Sequence, residues 1–244
     1  MSVFFLTGTD TDIGKTVVTT LLASFFKEHG LQFFPYKPIQ SGAIEQDGKL
    51  IAPDPDMYRL VMGNQNEEDF NTYLLKKPSS PHLAAELEGV HFDFSLINEK
   101  INSLRDTYDG VIVEGAGGLY VPIKKDGYSM IDWIENLKVP TILVARAGLG
   151  TINHTVLSIE AMQKREIPIA GLILNHVYDE DETIEKDNVQ MIQKLTNVPI
   201  IGTVPYCENI REVLIDKDKR KELHANWNMN ILKEAVVNEP ATII

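Results

Sequence analysis

"FLTGTDTDIGKTVVTTLL", residues Phe5 to Leu22, starts in a short apolar run, crosses a small polar loop flanked by Gly8 and Gly14, and continues as an apolar repeat from Val17. Gly14-Lys15-Thr16 stands where a helix begins. Backbone N–H groups of such a loop, with the positive end of the helix, bind phosphate oxygens. Lys15 then reaches the β and γ phosphates, and the Thr16 hydroxyl ligates Mg²⁺. The usual spacing is one residue shorter, for five residues separate Gly8 from Gly14 here. A plain strand–helix turn capped by Thr11 or Asp12 has no need of Gly-Lys-Thr, so a phosphate site is the stronger reading.

Around this loop the chain has 244 residues, 43% apolar and 24% charged, which fits one globular domain over residues 1–244 with a full core. The one cysteine, Cys207, excludes an internal disulfide and fits a reducing compartment. No basic-then-apolar leader opens the sequence and no apolar run reaches about 18 residues, so a cytoplasmic protein is expected. A net charge of −12 argues against nucleic acid and anionic membrane as partners.

Six short runs read as strands: Val3–Thr7, Phe33–Lys37, Gly110–Glu114, Thr141–Ala145, Ile169–Asn175 and Pro199–Val204. Nearly unbroken apolar character marks strands buried on both faces of a parallel sheet. Between them, Val18, Leu21, Leu22 and Phe25 follow helical spacing, as do Ile152, Val156 and Ile159, and these are read as core-facing stripes. Such alternation predicts an α/β fold, a P-loop-type doubly wound, mainly parallel sheet with helices on both faces. Gln40–Pro55 is expected to be an irregular functional loop.

Ligands of such sheets lie beyond the carboxyl ends of the strands. Glu114 ends an apolar strand and is followed by Gly115-Ala116-Gly117-Gly118. An acid there, beside a phosphate loop, is how nucleotide hydrolases hold Mg²⁺. Lys37 lies between two prolines at another strand end, with Ser41 beyond it. Asp54 and Asp56 precede an apolar helical run; one is expected to be its N-cap, and either could ligate a metal.

"GTDTDIGKT", "KPIQSG", "VEGAGGLYVP" and "LGTINH", in this order and at these intervals, resemble the dethiobiotin synthetases from about Val3 to about Pro205. The resemblance implies a homodimer and an ATP- and Mg²⁺-dependent reaction. In it, 7,8-diaminopelargonic acid and CO₂ (or bicarbonate) give a carbamate, then a mixed anhydride with phosphate, then a cyclic urea. It implies catalytic roles for Lys37, Lys15 and Thr11. ATP would be bound by Asp12, Ile13, Gly14, Lys15, Thr16, Val17, Asp56, Glu114, Gly115, Ala116 and Gly117. Its base would meet Asn175, Val204, Pro205, Tyr206 and Glu208. The diamine would meet Thr11, Lys37, Ser41 and Gly118, and its distant carboxylate Gly150, Thr151, Ile152 and Asn153 of the other subunit. Counted back from the apolar helix, Asp56 rather than Asp54 joins Thr16 and Glu114 as the metal group.

An alternative is a partition- or positioning-type switch ATPase of the same P-loop branch. Such proteins carry a second lysine early in the loop, where this chain has Thr9 to Thr11. A glycine turn capped by Thr151 is the plain reading of Gly148–Ile152, and a strand-end amide that of Asn175. His82 is expected to serve a helix start, and Asp179–Asp187 the solvated first turn of a helix. No Cys/His spacing suggests a transition-metal site.

Overall fold

A computed structural model of the chain describes residues 2–63, 65–179 and 181–235. In chain order the first half runs β1 (Ser2–Gly8), α1 (Lys15–Glu28), β2 (Phe33–Tyr36), β3 (Ile39–Ser41), β4 (Ile44–Gln46), β5 (Lys49–Ile51), α2 (Pro53–Met62), α3 (Glu67–Phe70), β6 (Tyr73–Leu75), α4 (Pro81–Glu88) and α5 (Phe94–Thr107). The rest runs β7 (Gly110–Gly118), α6 (Met130–Leu137), β8 (Thr141–Arg146), α7 (Thr151–Lys164), β9 (Ile169–Asn175), α8 (Glu182–Thr196), β10 (Ile200–Val204), α9 (Ile210–Ile215), α10 (Lys217–Leu223) and α11 (Met229–Ala235).

The six apolar runs form one parallel sheet in the order β10-β9-β8-β1-β7-β2. Because successive strand residues point to opposite faces, each central strand feeds two cores. Val3 and Phe5 of β1, with Val111 and Val113 of β7, pack against Ile97, Ile101, Ile131 and Ile134 of α5 and α6. Phe4, Leu6 and Ile112 face the other way, onto Val18, Leu21, Leu22 and Phe25 of α1. Helices therefore cover both faces, as the alternation predicts. The parallel register brings the carboxyl ends of β1, β7 and β2 to one edge, with the loops after them side by side.

Two expectations need correction. Gln40–Pro55 is not irregular: it contains β3, a hairpin of β4 and β5, and the start of α2. The hairpin turns at Asp47-Gly48, both with positive φ (52° and 73°), the geometry a two-residue hairpin turn requires. On α7 the buried face is Thr151, Thr155, Ile159 and Met162, while Ile152 and Val156 lie on its flank, half-buried. The two threonines are buried with their hydroxyls 3.2 Å apart, which a count of aliphatic residues overlooks.

Candidate active site

After β1 the chain folds tightly back on itself. Asp12 (φ 56°) and Gly14 (φ 84°) are both left-handed and bracket the buried Ile13. Ile13 tucks under the loop so closely that a Cβ on Gly8 would lie 2.4 Å from Ile13 Cδ1. Gly14 is the N-cap of α1, and no side chain caps the helix, so its first N–H groups are left for a ligand. Asn175 at the end of β9 pins the loop from outside, its Nδ2 donating to Ile13 O at 2.9 Å. Any side chain at Gly14 would collide with that amide, at 2.0 Å.

Lys15 is buried and donates to Asp10 O at 2.7 Å. Its pKa falls to about 8, chiefly through burial and then through the Lys37 ammonium, against the opposing pull of Glu114, Asp54 and Asp10. Lys37, just beyond β2, is fixed by its own N–H to Phe70 O (2.7 Å). Its Nζ lies 2.7 Å from Glu114 Oε1, 2.7 Å from Asp54 Oδ2 and 3.3 Å from Gly115 O. Burial alone would depress this amine, but the two carboxylates hold its pKa above the ordinary lysine value. Glu114, 1% exposed at the edge of the sheet, accepts from Thr16 Oγ1 (3.0 Å) as well, and from Tyr58 OH at 2.6 Å. Burial first, then Glu114 and Asp54, raise the Tyr58 phenol far above its usual pKa.

These groups lie in or beneath a cleft of about 770 Å³. Its lining includes Thr11, Asp12, Gly14, Lys15, Thr16, Lys37, Ser41, Glu114, Ala116 and Gly117 of the sequence-derived set, and Asp54, which that set passed over for Asp56. Gly115 contributes its carbonyl to Lys37. Gly118 pairs with Gly8 in the sheet and is not in the lining. A smaller cavity of about 140 Å³ opens on the far side of the loop, between Asp12, Gly14, Val17, Asn175, Val204, Pro205, Cys207 and Ile210. Tyr206 and Glu208, expected to meet a base, are exposed and do not line this cavity, whereas Cys207 and Ile210 do. Beyond β10 the side chains alternate, so Cys207 faces the cavity where Tyr206 does not.

The expectation that one of Asp54 and Asp56 caps α2 is also corrected, and of the two it is Asp54, not the chosen Asp56, that lines the cleft. α2 begins at Pro53 with Ala52 as N-cap, so neither aspartate caps it and both sit in its first turn. Residues four apart share a helix face and residues two apart do not. Asp54 therefore shares the face of Tyr58 and turns to Lys37, while Asp56 points away and binds Arg211 at 2.6 Å. The spacing Asp54, Tyr58, Val61, readable from sequence as one face, was the missed signal, and Tyr58 was missed with it.

Gly150, Thr151, Ile152 and Asn153 open α7 and do not line this chain's own cleft. Gly150 (φ 85°), not Thr151, is the N-cap. Thr151 is buried, its N–H on Gly148 O and its hydroxyl 3.2 Å from that of Thr155, so its side chain is not free for a ligand. Gly150 and Asn153 are exposed. His82 sits at the start of α4, its Nδ1 3.0 Å from Ser80 Oγ, and Asp181 caps α8 through Thr183 N–H at 2.7 Å.

A family model described as an AAA domain matches residues 2–213. The chain is 51% identical over 233 residues to the ATP-dependent dethiobiotin synthetase of Halalkalibacterium halodurans, covering 96% of each chain. To that of Anoxybacillus flavithermus it is 45% identical over 209 residues, 86% of this chain and 94% of the other. Among solved structures, the septum site-determining protein MinD of Pyrococcus horikoshii, complexed with Mg-ADP, superposes with a TM-score of 0.57 at 18% identity, covering 96% of this chain and 95% of that one. At that identity the likeness is one of fold alone.

Proposed function

Because the chain belongs to the dethiobiotin synthetases, we propose that its cleft brings ATP on the phosphate loop against a carbamate held by Lys37. The protein is an ATP-dependent cyclo-ligase of biotin biosynthesis. The observation that carries the reading of the site is the buried ammonium of Lys37 in the lining of the same cleft that the phosphate loop lines.

The substrates of this reading are 7,8-diaminopelargonic acid, CO₂ and ATP. One amine of the diamine adds to CO₂ and loses a proton, giving a carbamate. A carbamate is anionic and reverts readily, so a fixed cation favours its formation and survival. Lys37 stays protonated across neutral pH because Glu114 and Asp54 face it. The carbamate oxygen takes the γ-phosphoryl group with release of ADP, and the second amine attacks the carbonyl carbon, expelling phosphate and closing the urea. Lys15, free to leave Asp10 O, meets the phosphate side of that transfer. The hydroxyls of Thr11 and Ser41, both on the lining, suit hydrogen bonds to the amines or the carbamate.

The residues at the foot of the cleft fit a hard cation. Thr16 Oγ1, Glu114 and Asp54 are all oxygen donors, and the two carboxylates already surround one positive charge, that of Lys37. Among the described residues no cluster of three or more His, Cys, Asp or Glu forms a cage, which suits Mg²⁺, usually held by one or two carboxylates, water and phosphate. Thr16, Asp54 and Glu114 would hold it, and when bound it neutralises charge on the phosphates.

The distant carboxylate of the diamine, in this reading, is met by a second copy of the chain. The exposed start of α7 supports this: Asn153 offers a donor between Leu149 (81% exposed) and Leu157 (55% exposed), apolar surface suited to burial in a homodimer. The N–H groups of Ile152 and Asn153, in the first turn of α7, then face an anion. The test is incubation with the diamine, ¹³C-bicarbonate and ATP, followed by mass spectrometry. A cyclic urea carrying the label supports the reading, and recovery of unchanged diamine beside consumed ATP overturns it.

A further inference from the structure

Tyr58 is wholly buried beneath the cleft, and its hydroxyl donates to Glu114 Oε2 at 2.6 Å. The other carboxylate oxygen, Oε1, is met by Thr16 (3.0 Å) and Lys37 (2.7 Å). Both of those donors face ligands in the proposed reaction, Thr16 a cation and Lys37 a carbamate. Tyr58 does not line the cleft, so its hydroxyl does not itself face a ligand there. Its ring is set against Phe70, 6.2 Å between centroids, and its backbone belongs to α2. The same helix, one turn earlier, carries Asp54, which pairs with Lys37. One short element therefore sets the place of one carboxylate and the orientation of the other.

We infer that Tyr58 is a positioning residue: its hydroxyl fixes the Glu114 carboxylate at the spacing from Asp54 at which the pair holds a divalent cation. This rests on the reading of Glu114 and Asp54 as metal groups. Groups that orient metal ligands typically change affinity 10–100-fold when removed. Tyr58→Phe takes away the hydroxyl and leaves the ring.

The experiment titrates Mn²⁺, followed by electron paramagnetic resonance, into the full chain with ADP in excess at 10 °C, conditions that favour the folded form. Tyr58→Phe is expected to weaken Mn²⁺ binding about tenfold or more. In turnover it should raise the half-saturating Mg²⁺ concentration by a similar factor while leaving the rate at saturating Mg²⁺ within about threefold. Glu114→Gln is the control on the underlying reading. Should Glu114→Gln lose affinity while Tyr58→Phe stays within about twofold of the parent, whatever its melting temperature, Tyr58 only fills space and the inference falls alone. Should Glu114→Gln itself keep the parent affinity, the metal reading falls and takes the inference with it.

Discussion

Lys37→Met removes the ammonium that bridges Glu114 and Asp54 and replaces its stem with a chain of similar bulk. Glu114 is 1% exposed, so its charge would be left in a poorly solvated place with Thr16 and Tyr58 as remaining donors. Breaking a buried pair by removing one partner costs about 3–5 kcal/mol. The two remaining donors, and the 25% exposure of the Asp54 side chain, place this site at the low end, about 3 kcal/mol. For a chain of this length that is a fall in melting temperature of roughly 6–12 °C. Glu114→Gln on the same background removes the stranded charge, and the double variant should recover at least about 1.5 kcal/mol relative to additivity. The assay is urea denaturation of the parent, both single variants and the double variant, without nucleotide or metal. A Lys37→Met protein within about 0.5 kcal/mol of the parent, or strict additivity in the cycle, would refute the argument that the lysine and glutamate are a coupled buried pair.

Asp54→Asn should raise the Mg²⁺ concentration needed for half-maximal turnover roughly tenfold or more, and Asp56→Asn should leave it within about twofold; the reverse ranking in a metal titration would show that α2 presents the other face to the cleft. On the proposed shared site, mixing a Lys37→Ala protein with an Asn153→Glu protein should restore part of the lost activity, because one site of each mixed dimer would receive only intact parts. Tag pull-down confirms exchange, and confirmed mixed dimers without activity would place the carboxylate contact within one chain. His224 tests the packing of the far face. Burial holds its pKa at about 4 against an ordinary 6.5, with its ring on Phe25 and its Nε2 3.3 Å from Ser24 Oγ. The unfolded chain thus takes the proton first, so stability is full above pH 6.5 and declines as pH falls, by on the order of 3 kcal/mol at pH 4. His224→Gln should flatten that stretch of the pH–stability curve, and parallel curves would contradict the assignment.

The sheet was legible because strands buried on both sides leave unbroken apolar runs, and each of the six runs is a strand of it. The phosphate loop was legible because Gly14-Lys15-Thr16 answers a backbone requirement that few other residues satisfy. What escaped depends on direction. Asp54 and Asp56 are chemically the same, and only the helical face separates them; the apolar positions Tyr58 and Val61 carried that information. Asp47-Gly48 is a hairpin signal inside a stretch too polar to suggest strands. Thr151 reads as a cap or a ligand donor, yet Gly150 takes the cap and Thr151 is buried with its hydroxyl on that of Thr155. Tyr58 was the hardest to see. Its part in the site depends on a carboxylate 56 positions away in sequence, brought to it by the β2–β7 pairing and the packing of α2 on α1.

Initial rates of ADP release, measured with and without the diamine and bicarbonate, set a coupled synthetase apart from a nucleotide switch of the same fold. With both co-substrates present, one ADP should appear for each cyclic urea formed, and the rate should fall by about 10² or more when either is withheld, because the acceptor of the phosphoryl group is then missing from the site. ADP released at the full rate without the diamine would mean that water, not a carbamate beside Lys37, receives the phosphate.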